Sequence, residues 1–239
     1  MKSPRNTSSV IPNLFTAMNL FCGYYSIINT SEKSYVYAAW LIIIAAVFDA
    51  LDGLVARLTN SSSKLGVELD SLADMLSFGA APAFLIFKTF LFNYNTLGII
   101  ISSLLVIAGG FRLARFNTQL VGFDKAYFKG LPIPSSGIAI ASFILIYYDP
   151  FLGFAEPYSA LIIPIVILLS FLMVSTIKYD TLPKFTIQEL KKKPLHFAFI
   201  LISIILLAVT SGKALFFIFV FIILFGIFRH IFYMFSKKN

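Results

Sequence analysis

The sequence predicts an all-α polytopic membrane protein, and three features carry that reading. Of the 239 residues 59% are hydrophobic and only 13% charged, with a mean hydropathy of +0.88, against roughly half apolar and a quarter charged in a soluble domain. The apolar residues fall into separate segments close to the ~20 residues that a spanning helix needs. Lys and Arg lie almost wholly on one side of the membrane that those segments define, as cytoplasmic loops require.

In chain order the segments run Ile11 to Asn29, Tyr35 to Leu58, Gly66 to Phe92, Thr96 to Phe116, Ile133 to Tyr148, Tyr158 to Ile177, Leu195 to Val209 and Ala214 to Phe235. The expectation is therefore about eight transmembrane helices, the fifth and seventh short. Pro132 and Pro134 start the fifth helix, where proline costs no hydrogen bond. The longest polar interval, Lys178 to Pro194, follows the sixth. This divides the chain into a transmembrane core (residues 1–178), a cytoplasmic polar linker (179–194) and an accessory C-terminal hairpin (195–239), which lacks any intramembrane acid.

With the N-terminus placed in the cytoplasm, all 19 Lys and Arg except Lys33, Lys88 and Lys213 fall on the cytoplasmic side. Both termini are then cytoplasmic, and the cell membrane is the expected location. The net charge of +8 reads as this topological bias and as a means of holding anionic lipid headgroups, not as a nucleic-acid footprint. No cleavable signal peptide is evident, because the first apolar stretch lacks a small-residue cleavage site. A single cysteine, Cys22, excludes an intramolecular disulfide and a cysteine metal cluster.

Within this apolar chain, Asp49-Ala-Leu-Asp52-Gly53-Leu-Val-Ala56-Arg57 is followed after eight residues by Gly66-Val-Glu-Leu-Asp70-Ser-Leu-Ala-Asp74. On helices, Asp49, Asp52, Gly53 and Ala56 share one face and Asp70 and Asp74 another, while Glu68 lies off it. Two such faces turned together make a cage of four carboxylates. Ionised carboxylates so close repel unless positive charge is present, which points to divalent cations. Gly53 and Ala56 leave room for a large polar ligand to approach the backbone.

This pattern resembles the D-x2-D-G-x2-A-R-x8-G-x3-D-x3-D signature of the CDP-alcohol phosphotransferase family, matched at every specified position. The resemblance implies a six-helix core and two divalent ions, Mg2+ or Mn2+. Asp49, Asp52, Asp70 and Asp74 are then metal ligands, with Asp49 and Asp70 bridging and Asp74 also the general base. Asp52, Gly53, Ala56, Arg57 and Gly66 would receive the cytidine nucleotide, and a homodimer is expected.

A second constellation lies at the cytoplasmic end of helix four and the entry to helix five: Arg112-Leu-Ala-Arg115-Phe-Asn117, then Gly130-Leu-Pro132-Ile-Pro134-Ser-Ser-Gly137. With Ile11-Pro12-Asn13-Leu14-Phe15-Thr16, Asn19 and Leu172-Met173-Val174-Ser175, it is similar to the branch of the family that uses L-serine. CDP-diacylglycerol and L-serine are the implied substrates and membrane lipids the surroundings. Arg112 and Arg115, at i and i+3, offer guanidinium forks for the lipid phosphate or the serine carboxylate; alternatively both are interfacial anchors. His196 and His230 read as interfacial residues. Another acceptor, such as glycerol phosphate or inositol phosphate, is the nearest alternative. An ion transporter is more distant, since neither broken helices nor inverted repeats are visible.

Overall fold

The computed structural model describes residues 10–59, 63–118, 127–180, 201–203, 205–207, 209–210 and 212–236. Its helices are α1 (Val10–Ser31), α2 (Tyr35–Leu58), α3 (Lys64–Asp74), α4 (Ala81–Thr89), α5 (Asn95–Thr118), α6 (Ile133–Tyr147), α7 (Tyr158–Val174) and α8 (Ala214–Ser236). Two short antiparallel pairs accompany them: β1 (Tyr127–Lys129) with β4 (Lys178–Asp180), and β2 (Tyr148–Asp149) with β3 (Gly153–Phe154).

The all-α membrane architecture is as expected. Among the described residues, four helical stretches are long and apolar enough to cross a bilayer: Tyr35–Leu58, Lys64–Thr89, Leu91–Thr118 and Ala214–Phe232. Helices α6 and α7 are apolar but shorter. Part of the predicted seventh segment, Leu195 to Ile200, lies outside the described residues, as do His196 and most of the linker; the described positions between 201 and 209 are helical.

The third segment, one apolar stretch in the sequence, is one continuous helical stretch in the structure, Lys64–Thr89, with a change of pitch inside it. A π-helical turn, Met75–Ala80, joins α3 to α4, beginning at the residue after Asp74. Such wide turns re-aim side chains within a helix and recur at functional sites. Pro82 follows directly on this turn, where its missing N–H interrupts the regular hydrogen-bond ladder of the continuous helix.

Helix α6 is the central post. Every residue from Ser136 to Ile144 is buried, as expected of a helix that is apolar all round and surrounded by protein. It packs against α2, α4, α7 and α8. Large apolar side chains such as Phe21, Phe111, Phe171 and Phe228 are exposed on the outer helices, as suits a surface solvated by lipid.

Helix α1 has the opposite polarity. Its buried residues are Pro12, Thr16, Asn19, Cys22, Gly23, Ser26, Asn29 and Thr30, whereas Leu14, Met18, Phe21 and Tyr25 face outward. Close approach makes this possible: a Cβ on Gly23 would lie 2.7 Å from Ser77 Cα in the π turn. At the far end of α2 an aromatic group forms around Tyr35 and Tyr148, with ring centroids 5.4 Å apart, and Phe154. That is the composition of a membrane–water interface.

Candidate active site

The C-terminal half of α2 and all of α3 carry the aspartates. Ser63 starts α3 by accepting a hydrogen bond from the Gly66 N–H at 3.0 Å, which satisfies an otherwise unpaired amide. The helices face each other so that Asp49, Asp70 and Asp74 each offer an oxygen, all within 4.8 Å of one another. Asp74 and Asp52 are buried. Asp52 stands beside this trio, and its Oδ2 accepts from Thr16 Oγ1 at 2.9 Å.

The trio fits a cation on two independent grounds. Asp70 Oδ1 is buried with no hydrogen-bond partner among the described residues, an arrangement that costs about 1–3 kcal/mol or more for a charged group. Unit charges at such separations repel by at least about 3 kcal/mol per pair at an effective dielectric near 20. Three pairs then oppose folding by an amount comparable to the whole stability of a typical domain, about 5–15 kcal/mol. Protonation relieves this repulsion, and so does positive charge. Buried Arg112 supplies one unit: its electrostatic partners include Asp74, Asp49 and Asp70. One guanidinium does not balance this many carboxylates, and an all-oxygen donor set suits a hard divalent ion.

The two arginines that the sequence pairs have separate roles here. Arg112 turns inward, its guanidinium carbon 5.4 Å from the Phe116 ring centroid, toward the carboxylates. Arg115 is engaged by backbone. Its Nη1 donates to Val174 O at 2.9 Å, and its Nη2 reaches Lys129 O at 2.7 Å, Ser175 O at 3.1 Å and Met173 O at 3.2 Å. These include carbonyls at the end of α7, which lack partners within their own helix. Arg115 therefore ties α5 to the end of α7 and to the strand before α6. Gly130 is required at this knot: its φ is +81°, and a Cβ would meet Arg115 Nη2 at 2.7 Å. Leu131 N–H donates to Leu172 O at 3.0 Å, closing the same junction.

Beside the carboxylates, Gly53 has open space where a side chain would project. The corresponding direction at Gly66 meets Ser63 Oγ at 3.1 Å and Asn13 Oδ1 at 3.3 Å. Arg57 is exposed and donates from Nε to Gly53 O at 2.9 Å. Ala56 is half-buried next to it, and Glu68 is exposed. Half-buried His230 lies on α8, outside the cluster.

Several contacts were not foreseen from sequence. Asn19 is fully buried, with Nδ2 3.5 Å from Asp74 Oδ1, and its own Oδ1 has no hydrogen-bond partner among the described residues. Ser77 Oγ donates to Asn19 O at 2.9 Å, pinning α1 to the π turn. Asn117 Nδ2 donates to Ser71 Oγ at 3.0 Å, which secures α3 between Asp70 and Asp74. The available signal was the spacing Asn13, Thr16, Asn19, a polar stripe one turn apart in an otherwise apolar helix.

Comparison with known proteins identifies the family. The profile of the CDP-alcohol phosphatidyltransferase family matches residues 9–228. A CDP-diacylglycerol–serine O-phosphatidyltransferase of Helicobacter pylori is 38% identical over 97% of this chain and 95% of its own. An archaetidylserine synthase of Methanothermobacter thermautotrophicus is 38% identical over 75% of this chain and 73% of its own. A CDP-diacylglycerol–serine O-phosphatidyltransferase of Bacillus subtilis is 32% identical over 76% of this chain and 96% of its own.

Proposed function

The chain belongs to the CDP-alcohol phosphatidyltransferase family, and from that premise we propose that it transfers the phosphatidyl group of CDP-diacylglycerol to the hydroxyl of L-serine, releasing CMP. The observation that carries the reading is the convergence of Asp49, Asp70 and Asp74 with Arg112 at one end of a membrane bundle. The names of relatives spread over most of the chain supply the acceptor.

In this reading Asp49, Asp52, Asp70 and Asp74 hold two divalent ions, Mg2+ or Mn2+. When bound, they would neutralise the diphosphate and stabilise charge on the attacking and leaving oxygens. The protein does the remaining work by placement. The open face at Gly53, with Ala56, Gly66, Asp52 and exposed Arg57, receives the cytidine nucleotide, while the acyl chains stay in lipid.

Asp74 takes the proton from the serine hydroxyl as its oxygen attacks the phosphorus bearing diacylglycerol. The bond from that phosphorus to the CMP oxygen breaks, and CMP leaves. Arg112 faces the incoming carboxylate of serine, for which a guanidinium fork is suited. Burial of Asp74 keeps water from competing as the nucleophile. The chain is placed in the cytoplasmic membrane with both termini inside, as a homodimer.

The test is purified protein with CDP-diacylglycerol, Mn2+ or Mg2+ and a panel of labelled alcohols. L-serine should support CMP release, and chelation should abolish it, as should Asp49→Asn, Asp52→Asn or Asp70→Asn in protein that still inserts. Release with glycerol phosphate or inositol phosphate but not with L-serine would overturn the acceptor and leave the family chemistry intact.

A further inference from the structure

The metal-bearing helices α2 and α3 do not set their carboxylates alone, because α1 lays a polar stripe against them. Asn13 borders Gly66, Thr16 reaches Asp52 and Asn19 faces Asp74. Of these contacts the Thr16 bond is the shortest between side chains, and it involves the one aspartate of the four outside the close trio.

A buried threonine on a helix ordinarily turns its hydroxyl to the carbonyl four residues back. Thr16 Oγ1 does lie 3.1 Å from Pro12 O, but it is closer, at 2.9 Å, to Asp52 Oδ2. One proton cannot serve both acceptors equally. A carboxylate is the stronger one, and Pro12 O already has a helical partner in the Thr16 N–H. Thr16 is only 3% exposed and Asp52 only 6%, so water does not substitute for the hydroxyl.

We propose that Thr16 is a positioning residue of the metal centre: its hydroxyl occupies Asp52 Oδ2 and fixes the orientation in which that carboxylate meets a cation. The proposal rests on the metal-ligand role read for Asp52, not on the identity of the acceptor. Partners that orient ligating carboxylates typically change metal affinity by about 10–100-fold when removed.

Mn2+ binding to the purified protein, measured by electron paramagnetic resonance without substrate, tests this directly. Thr16→Val, which keeps the side-chain shape, should weaken Mn2+ binding by about tenfold or more. The Mn2+ concentration for half-maximal CMP release should rise by the same factor, with the serine KM at saturating Mn2+ unchanged. Thr16→Ser should restore both. Binding by Thr16→Val within about twofold of the parent would overturn the proposal, and so would a serine variant as impaired as the valine one. A parent that binds Mn2+ no better than its Asp70→Asn variant would overturn the metal centre and the proposal with it. Because the resonance measurement needs no acceptor, a parent that binds Mn2+ but ignores L-serine sinks the serine assignment alone, and the Thr16 comparison still decides.

Discussion

Replacing each arginine with lysine separates a substrate contact from a structural tie while preserving charge and membrane orientation. Arg115 Nη2 carries two hydrogens but faces three carbonyls, and Nη1 faces one, so the guanidinium sustains about three bonds at once. A lysine ammonium on a single stem reaches one of these carbonyls well, which removes about two bonds. At ~1–1.5 kcal/mol net for each, Arg115→Lys should lose about 2–3 kcal/mol. For a chain of this size that corresponds to roughly 4–12 °C in melting temperature. At a temperature where the variant remains folded, its serine KM should match the parent. Arg112→Lys should do the reverse, raising the serine KM about tenfold or more through loss of one charge-assisted fork, with a small change in melting. The assays are a thermal melt followed by fluorescence of the single tryptophan, Trp40, and CMP release against serine concentration. An Arg115→Lys protein with parental melting and a raised serine KM would refute the assignment, as would an Arg112→Lys protein with parental serine kinetics.

Further outcomes follow from the same geometry. Asp74→Asn should lose turnover while partly keeping CDP-diacylglycerol binding, since removing a base acts on the transition state more than on the ground state; an equal loss of affinity in a binding assay would instead mark a purely metal-holding role. Gly23→Ala would place a methyl 2.7 Å from Ser77 Cα and 2.9 Å from its Cβ, costing about 1–3 kcal/mol by overpacking and lifting Asn19 from Asp74, so melting temperature and kcat should fall together; parental values of both would count against the close contact. Tyr179 is buried, and its hydroxyl has no hydrogen-bond partner among the described residues, so Tyr179→Phe should leave activity unchanged and stability equal or higher. Burial pushes that phenol up to about 12, above the ~10 of an unfolded chain. The folded state thus holds the proton more tightly, and this contribution, complete below about pH 10, is lost as pH rises through about 12. The phenylalanine variant should therefore show a smaller alkaline loss of stability in melts across that range.

The aspartate spacing made the heart of the site legible, because helical periodicity alone puts Asp49 with Asp52 and Asp70 with Asp74. Hydropathy likewise marked most of the spans. The π turn after Asp74 left no such mark, since one extra residue in a turn changes neither composition nor average hydropathy. Helix α1 read as an ordinary apolar span because hydropathy sums both faces, hiding that Thr16 and Asn19 point inward. Arg112 and Arg115 looked equivalent because spacing fixes a helix face but not what waits opposite it: carboxylates for one, the carbonyl end of α7 for the other. Lys178 to Asp180, which open the polar interval after the sixth segment, pair with β1, an association between positions some fifty residues apart that local sequence does not encode.

The inward polarity of α1 bears on how the chain enters the bilayer. Alone in lipid, α1 would expose Thr16, Asn19, Ser26 and Asn29 on one side, and α2 alone would expose Asp49 and Asp52; each lacks what the other supplies. Ser26 Oγ donates to Ala38 O at 2.9 Å and Thr16 to Asp52, so the pair satisfies Thr16, Ser26 and Asp52 before any later helix is made. Synthesis therefore favours release of the first two helices as a single hairpin. The carboxylates of α2 then reach the hydrocarbon layer already covered on one flank, with the other left for α3.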